Sequence, residues 1–296
     1  MRMTFRWFGR DDPVRLEYIR QIPGVGGIVS ALHDIPVGET WPRDRLDDLA
    51  STVDAVGLVL TVIESIPVHE DIKLGKPSRE QLADRYAESI RNIGESGVRV
   101  LCYNFMPVFD WTRTDLDLTL EDGSTALAYD DGELARIDLT NGTGDLPGWG
   151  TAYNGEEMGA LLAAYESVPE EQLWENLGWF LERIVPAAES ADVKLAIHPD
   201  DPPWSIFGLP RIITSGEALE RVATLVDSAV NGVTLCTGSL GADPANDVVS
   251  IARRLGHMKR IHFAHCRNVK RTGPRAFHEV PHPTHYGDVD MLGVLR

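Results

Sequence analysis

The sequence predicts an α/β protein of the TIM (β/α)8-barrel class. Short apolar runs alternate with amphipathic helical patterns at intervals of roughly 25–40 residues, as expected of repeated βαβ units around a parallel sheet. An open, doubly wound sheet would usually show a glycine-rich phosphate turn after its first strand. Here the glycine-rich residues 24–27 precede a strand instead. The 296 residues suffice for a barrel of about 250 residues, so we predict one barrel domain over residues 1–296.

Seven strands and five long helices are predicted from these patterns. Several helices begin with Ser, Asp or Pro, the residue types preferred at a helix N-terminus. Residues 78–81, Ser-Arg-Glu-Gln, have the capping-box pattern. The strands are predicted over residues 3–9, 27–32, 57–63, 98–105, 193–198, 232–236 and 260–265, and the helices over residues 42–56, 78–96, 169–190, 215–228 and 243–255.

An eighth strand is not visible in the sequence. Residues 289–296 again have a helical pattern, and a barrel left with seven strands would expose a sheet edge. We therefore expect the last strand and helix of the barrel to be missing from this chain and to follow residue 296 in the natural protein.

One acidic segment, at residues 109–155, interrupts the alternation of strands and helices. Residues 110–145 contain ten Asp and Glu side chains but only two Arg. We interpret this segment as an insertion in a βα loop, on the face where barrel active sites lie. Alternation predicts short strands at 119–121, 125–129 and 134–138, joined by Asp-Gly turns. The insertion is either a lid or oligomer contact, or a solvated excursion.

The charge balance argues against a nucleic-acid partner. Lys plus Arg number 28 and Asp plus Glu number 45, a net charge of −17, whereas nucleic-acid binding requires cationic side chains. Only five of the cations are Lys, which indicates either a salt-adapted source or an ordinary acidic enzyme. Three cysteines, no signal peptide and no apolar run of about 18 residues predict a cytoplasmic protein without a membrane partner.

Three potential metal ligands stand at the ends of the last three predicted strands. His198, Cys236 and His265 occupy equivalent positions, and neighbouring barrel strands place such residues around one mouth. Imidazole and thiolate groups from separate strands indicate a catalytic ion with positions open to substrate. Each residue alone could instead be part of the core. Period-two alternation puts His262 on the opposite side from His265, so His265 is preferred.

Other polar residues are candidates for binding substrate or moving protons. Arg267 follows His265 by two residues and could hold a carboxylate with two hydrogen bonds, or it could pair with a structural Asp on a neighbouring loop. His33 and Asn104 are further substrate-binding candidates, and Glu64 and Tyr103 are candidate catalytic residues. Lys270 and Arg271 could add to anion recognition, but we expect them to lie in a solvated loop. We expect His278, His282 and His285, in a loop rich in Gly and Pro, to be surface or lid residues rather than metal ligands.

Five stretches of the chain resemble the mannonate dehydratase family, whose fold resembles xylose-isomerase-like barrels. They are Arg-Trp-Phe-Gly at 6–9, Ile-His-Pro-Asp-Asp-Pro-Pro at 197–203, Leu-Cys-Thr-Gly-Ser at 235–239, His-Phe-Ala-His-Cys-Arg-Asn-Val at 262–269 and Gly-Asp-Val-Asp-Met at 287–291. The second and fourth stretches are specific, and the resemblance covers essentially the whole chain.

The resemblance implies a metal-dependent hydro-lyase of glucuronate breakdown. The reaction converts D-mannonate to 2-dehydro-3-deoxy-D-gluconate and water. The family binds Mn²⁺ or Fe²⁺ through His, Cys, His and a later Asp. His198, Cys236 and His265 match the first three, whereas the Pro-Asp-His-Gly-like motif that carries the Asp is absent from these 296 residues. We expect a homo-oligomer acting on a small sugar acid. The alternatives are a metal-dependent sugar isomerase or epimerase on the same barrel, or a non-catalytic metal-binding homologue.

Overall fold

The computed structural model describes residues 2–147 and 153–296. The strands are β1 Met3–Arg6, β2 Val25–Ser30, β3 Val59–Glu64, β4 Val100–Tyr103, β5 Asp115–Thr119, β6 Thr125–Asp130, β7 Lys194–Ile197, β8 Asn231–Cys236, β9 Ile261–His265, β10 Asn268–Gly273 and β11 Ala276–Val280. The helices are α1 Leu16–Ile19, α2 Arg43–Asp54, α3 Glu70–Lys73, α4 Arg79–Glu95, α5 Asp131–Leu134, α6 Gly155–Tyr165, α7 Glu170–Ala191, α8 Gly216–Leu225, α9 Thr237–Ala242, α10 Val248–His257 and α11 Met291–Leu295. Single 3-10 turns lie at Leu139–Asn141 and Thr284–Tyr286.

The chain divides into two compact units. One contains Met1–Asn104, Asn176–Ile197 and Val222–Val233, and the other contains Phe105–Glu175, His198–Arg221 and Thr234–Arg296. All seven strands predicted from the apolar runs are present, as are the five long helices. The prediction of one barrel domain with an insertion stays a prediction.

The first unit is a parallel sheet covered by helices. Its strands pair in the order β1-β2-β3-β4-β7-β8, and Ile28, Ile63, Leu101 and Leu195 at their centres are fully buried. A Cβ at Gly27 in β2 would lie 2.8 Å from side-chain atoms of the threonines on both neighbouring strands, so glycine is required there.

Helices α2 and α4 each bury one apolar stripe in this unit. Buried side chains recur every three or four residues, as in Leu46, Leu49 and Val53 of α2, which is the spacing of one helix face. The predicted capping box at the start of α4 is not formed. Ser78 has helical φ and ψ angles and makes no cap, because its hydroxyl donates to the Asp71 carboxylate at 2.7 Å.

The second unit contains the end of β8, its neighbour β9 and a separate four-stranded sheet. The strand order in that sheet is β10-β11-β6-β5, all antiparallel. Strands β5 and β6 form the predicted first hairpin of the acidic segment, with Gly123 at φ +82° in the turn. Strands β10 and β11 lie where the sequence predicted a loop, so the expectation that Lys270, Arg271 and His278 lie in loops was wrong.

The predicted strand at residues 134–138 was also wrong. The carboxylate of Asp130 accepts hydrogen bonds from the backbone of Gly132 and Glu133, and this cap starts the short helix α5 instead. Strand β6 then pairs with β11 on its other side, where Tyr129 lies opposite Phe277. The rings of Tyr129, Trp204 and Phe277 pack together, with Tyr129 5.6 and 5.7 Å from the other two.

Helix α10 begins five residues later than its predicted start, because the Asp247 side chain accepts a hydrogen bond from the Ser250 N–H and forms the cap there. The helical pattern at residues 289–296 corresponds to α11. Within residues 2–147 and 153–296, no helix has both the length and the apolar character needed to cross a bilayer.

Candidate metal centre

His198, Cys236 and His265 come together in the second unit. His198 is the first residue after β7, and Cys236 and His265 are the last residues of β8 and β9. One ligand atom from each residue lies within 4.8 Å of the others. The cluster contains His265 rather than His262, as the alternation along β9 predicted.

The imidazole of His198 is held in the tautomer that a metal ligand needs. Its Nδ1 lies 2.6 Å from the carbonyl oxygen of Pro199. Because a carbonyl can only accept, Nδ1 carries the proton and donates, which leaves the lone pair on Nε2. That Nε2 lies 3.0 Å from Nδ1 of His265. A backbone carbonyl on the other ring nitrogen is the usual way that proteins orient a ligating histidine.

Cys236 is fully buried at the start of α9. The Ser239 hydroxyl donates to its sulfur at 3.1 Å, and Nη2 of Arg267 lies 3.6 Å from the same atom. Burial alone would raise the pKa of the Cys236 thiol, but the Arg267 guanidinium and the His198 imidazole hold that pKa well below its ordinary value. The site therefore favours a thiolate, the form in which cysteine binds metal.

Arg267 is engaged by two carboxylates. Its Nη2 donates to Asp201 at 2.6 Å and to the Ser239 hydroxyl at 3.1 Å, and its Nη1 donates to Glu279 at 3.1 Å. Burial opposes its charge, but Cys236, Asp201 and Glu279 raise its pKa above the ordinary arginine value. The pairing with Asp201 matches the structural alternative considered for Arg267. That Arg267 binds a substrate carboxylate stays a prediction.

Asp201 joins Arg267 to a second arginine, Arg113, which the sequence reasoning missed. Arg113 donates two hydrogen bonds to the Asp201 carboxylate, at 2.8 and 3.0 Å. Burial would raise the pKa of Asp201, but Arg113 and Arg267 hold it well below its ordinary value. Residues 110–145 contain ten Asp and Glu side chains and only two arginines, one of which is Arg113. An isolated arginine in such an acidic segment was the sequence feature that could have pointed to its role.

Thr237 fixes the turn that follows His265. Its hydroxyl accepts from the Arg267 N–H at 2.8 Å and lies 2.6 Å from the Arg267 carbonyl and 3.1 Å from that of His265. Since Thr237 directly follows Cys236, this hydroxyl ties the backbone of one candidate ligand to that of another. Neither Thr237 nor Ser239 was assigned a role from the sequence, although both lie in the stretch 235–239 that carries the family resemblance.

The remaining predicted residues lie in the first unit. The Glu64 carboxylate accepts from Cys102 at 3.4 Å and pairs with Arg6 at 3.5 Å. The hydroxyl of Tyr103 is buried without a hydrogen-bond partner among the described residues, and burial raises its pKa.

His33 and Asn104 also belong to this first unit, at the ends of β2 and β4. His33 stacks against Phe8 with ring centres 6.4 Å apart, and burial, together with the nearby Arg6, lowers its pKa. Asn104 is half-buried directly after β4. The roles assigned to Glu64, Tyr103, His33 and Asn104 stay predictions.

Lys270 and Arg271 are bound to a neighbouring carboxylate. The Lys270 ammonium and the Arg271 backbone N–H contact Asp288 at 3.0 and 2.7 Å. The Arg271 guanidinium also donates to the Gly241 carbonyl at 2.9 Å. These contacts hold β10 to the segment before α11. Lys270 and Arg271 therefore have a structural role.

The three donor atoms fit one divalent ion. One ligand atom from each residue lies within 4.8 Å of the others, so small side-chain shifts bring all three within the bond lengths of about 2.0–2.3 Å that one ion needs. Imidazole and thiolate together suit first-row transition metals better than Mg²⁺ or Ca²⁺, which prefer oxygen ligands. Three protein ligands also leave coordination positions for a substrate.

Comparison with known proteins gives a consistent result. The family model described as D-mannonate dehydratase (UxuA) matches residues 1–296. A mannonate dehydratase from Streptococcus uberis is 54% identical over 296 residues, which is 100% of this chain and 85% of that protein. The crystal structure of mannonate dehydratase from Streptococcus suis serotype 2 has a TM-score of 0.92 and 50% identity, covering 100% of this chain and 80% of that one.

More distant solved structures share the fold. A xylose isomerase-like TIM barrel protein from Mycobacterium smegmatis, in complex with magnesium, has a TM-score of 0.52 at 12% identity, covering 95% of this chain and 74% of that one. This likeness, together with the alternating parallel strands and helices, confirms the predicted TIM-barrel class.

Proposed function

The chain belongs to the D-mannonate dehydratase family, and we propose that it removes water from D-mannonate with a divalent metal ion bound by His198, Cys236 and His265. Mannonate dehydratases are hydro-lyases. The observation that carries the metal-dependent part of the proposal is the convergence of two imidazoles and one thiol at three strand ends. The metal proposed is Mn²⁺ or Fe²⁺, following the family resemblance and the mixed nitrogen and sulfur donors.

The reaction determines what the site must do. A proton leaves C2, beside the carboxylate, and hydroxide leaves C3, giving 2-dehydro-3-deoxy-D-gluconate. A bound divalent ion supplies positive charge where negative charge develops on the substrate oxygens. The Pro199 carbonyl fixes the ring of His198, and the Thr237 hydroxyl fixes the backbone of His265 and Arg267. These contacts keep the ligand atoms in place before substrate arrives.

The general base and acid are proposed only as candidates. Burial raises the pKa of Tyr103, so its phenol is protonated at neutral pH and could act only as a proton donor. Glu64 is the candidate carboxylate base, held by its pair with Arg6. We further propose that the enzyme acts in the cytoplasm, in glucuronate breakdown, as a homo-oligomer.

A metal-reconstitution assay tests this proposal. The purified protein is stripped with a chelator, reloaded with Mn²⁺, Fe²⁺ or Mg²⁺, and incubated with D-mannonate. We expect a 2-keto-3-deoxy acid, lighter than the substrate by one water, with Mn²⁺ or Fe²⁺ and little with Mg²⁺. A product of unchanged mass would favour the isomerase or epimerase alternative. Bound metal without any product would favour the non-catalytic homologue.

Arg267→Lys separates two roles of this arginine. Lysine cannot contact Asp201, Glu279 and Ser239 at once, so we expect a loss of about 1.5–3 kcal/mol of stability, the value of a charge-assisted hydrogen bond. This corresponds to a fall in Tm of about 3–12 °C. A thermal melt and steady-state kinetics on one metal-saturated preparation decide the matter. An unchanged Tm with a 10- to 100-fold lower kcat/KM would instead assign Arg267 to the substrate's carboxylate.

A further inference from the structure

Arg113 is a buried cation inside the most acidic part of the chain. Its side chain is 1% exposed, whereas the second arginine of this region, Arg136, is 74% exposed and pairs with Glu133 on the surface. A buried guanidinium is costly unless its charge and hydrogen bonds are matched. Among the described residues, the Asp201 carboxylate makes the shortest ion pair with Arg113, at 2.8 Å, and Glu279 lies 3.7 Å from the same guanidinium. Asp201 lies beside the metal cluster, through its contact with Arg267.

The segment from Trp111 to Arg113 holds Asp201 by backbone and side chain together. The Thr112 N–H donates to the Asp201 carbonyl at 3.1 Å, and Trp111 forms a parallel bridge with Asp201. The Arg113 guanidinium adds its two hydrogen bonds to the Asp201 carboxylate. The same guanidinium lies 5.1 Å from the ring centre of Phe277 in β11. The start of the acidic segment is therefore fixed against residues that follow β7 and β9.

The contacts of Asp201 continue to the sulfur of Cys236. The Asp201 oxygen Oδ2, which accepts from Arg113, also accepts from Arg267 at 2.6 Å. Arg267 Nη2 in turn reaches Ser239 Oγ at 3.1 Å and Cys236 Sγ at 3.6 Å. Among the described residues, Arg113 and Arg267 are the two arginines that contact the Asp201 carboxylate. Without Arg113, nothing on that side of the carboxylate would oppose a shift of its side chain, which would carry Arg267 away from the sulfur. Arg113 thus restricts where Arg267, and with it Cys236 Sγ, can lie.

We infer that Arg113 is a positioning residue for the metal centre, acting through Asp201 and Arg267 on the sulfur of Cys236. Residues 111–113, at the beginning of the acidic segment, then help to hold the metal ligands in place. This inference rests on the proposed function, because it takes the His-Cys-His cluster to bind a metal ion. Removing a residue that holds a metal ligand in place, without binding the metal itself, typically lowers metal affinity 10- to 100-fold.

Cobalt binding to Arg113→Lys tests the inference. Lysine keeps the positive charge but cannot make the paired contact with Asp201, so folding should persist while the geometry changes. Co²⁺ is titrated into the metal-free protein, and its affinity and its thiolate-to-cobalt absorption band are recorded. We expect Arg113→Lys to bind Co²⁺ 10- to 100-fold more weakly and to show a shifted or weaker band.

Two control variants from the same segment accompany this experiment. Arg136→Lys changes an exposed arginine and should leave both readouts unchanged. Tyr129→Phe removes a hydroxyl that is hydrogen-bonded to Asp131 and Trp204 and leaves the contacts of Asp201 unchanged. It therefore measures how far a loss of stability in the same segment lowers Co²⁺ affinity and changes the absorption band. An unaltered band and affinity in folded Arg113→Lys, or a loss no larger than that in Tyr129→Phe, would overturn the inference. Absence of Co²⁺ binding or of the band in the parent protein would instead refute the proposed metal site.

Discussion

Cys236→Ser should lose metal and activity together. A serine hydroxyl stays protonated at neutral pH and is a far weaker ligand than a thiolate. The sulfur is one of three donors in the cluster, so we expect metal affinity to fall by more than the roughly 100-fold that loss of an outer contact can cost. Elemental analysis after dialysis against a defined free Mn²⁺ concentration, combined with turnover of D-mannonate, measures both effects.

The other two cysteines supply matched controls. Cys102 is buried in β4 of the first unit, where it donates to Glu64, and Cys266 is half-buried directly after His265. Cys102→Ser and Cys266→Ser should keep the metal stoichiometry of the parent. If Cys236→Ser also retained its metal at the same free Mn²⁺ concentration, the sulfur would not be a ligand.

Asp201→Ala should be the most destabilising single substitution at the site. It leaves the buried guanidinium of Arg113 without its bidentate partner and removes one of the two carboxylates on Arg267. Breaking a buried pair from one side typically costs about 3–5 kcal/mol, because a charge stays buried without compensation. Urea unfolding of the parent and the variant at neutral pH measures this cost.

A double-mutant cycle shows whether the cost comes from Arg113. Adding Arg113→Met to Asp201→Ala removes a buried charge that is left only with Glu279 at 3.7 Å among the described carboxylates, and should restore part of the lost stability. Asp117→Ala, at an exposed position of β5, should change the stability by less than about 0.5 kcal/mol. A cost below about 1 kcal/mol for Asp201→Ala, typical of exposed ion pairs, would contradict the account of a tightly coupled buried pair.

The sequence was sufficient to predict the strands and the three candidate ligands, for a physical reason. Parallel strands covered on both faces are nearly continuous apolar runs, and a polar residue at the end of such a run faces the mouth of the sheet. This argument located His198, Cys236 and His265 without any contact information. Alternation along β9 then separated His265 from His262, because successive side chains point to opposite faces.

Pairings between distant segments could not be predicted in this way. Arg113 and Asp201 are 88 positions apart, and no local pattern records which carboxylate meets a buried arginine. The strands β10 and β11 were missed because polar residues, and the prolines between and after the strands, obscured the alternation of apolar and polar side chains. The errors at Ser78 and at residues 134–138 had one origin, since short polar side chains can satisfy either of two local arrangements and tertiary contacts select one.

X-ray absorption at the metal edge of the Mn²⁺-loaded protein tests the central claim most directly. The account predicts one sulfur neighbour from Cys236 and nitrogen or oxygen neighbours that include two imidazoles, from His198 and His265. The sulfur contribution should disappear in Cys236→Ser and remain in Cys102→Ser. A first shell of oxygen neighbours alone, without sulfur or imidazole, would contradict the assignment of these three strand-end residues as the metal centre.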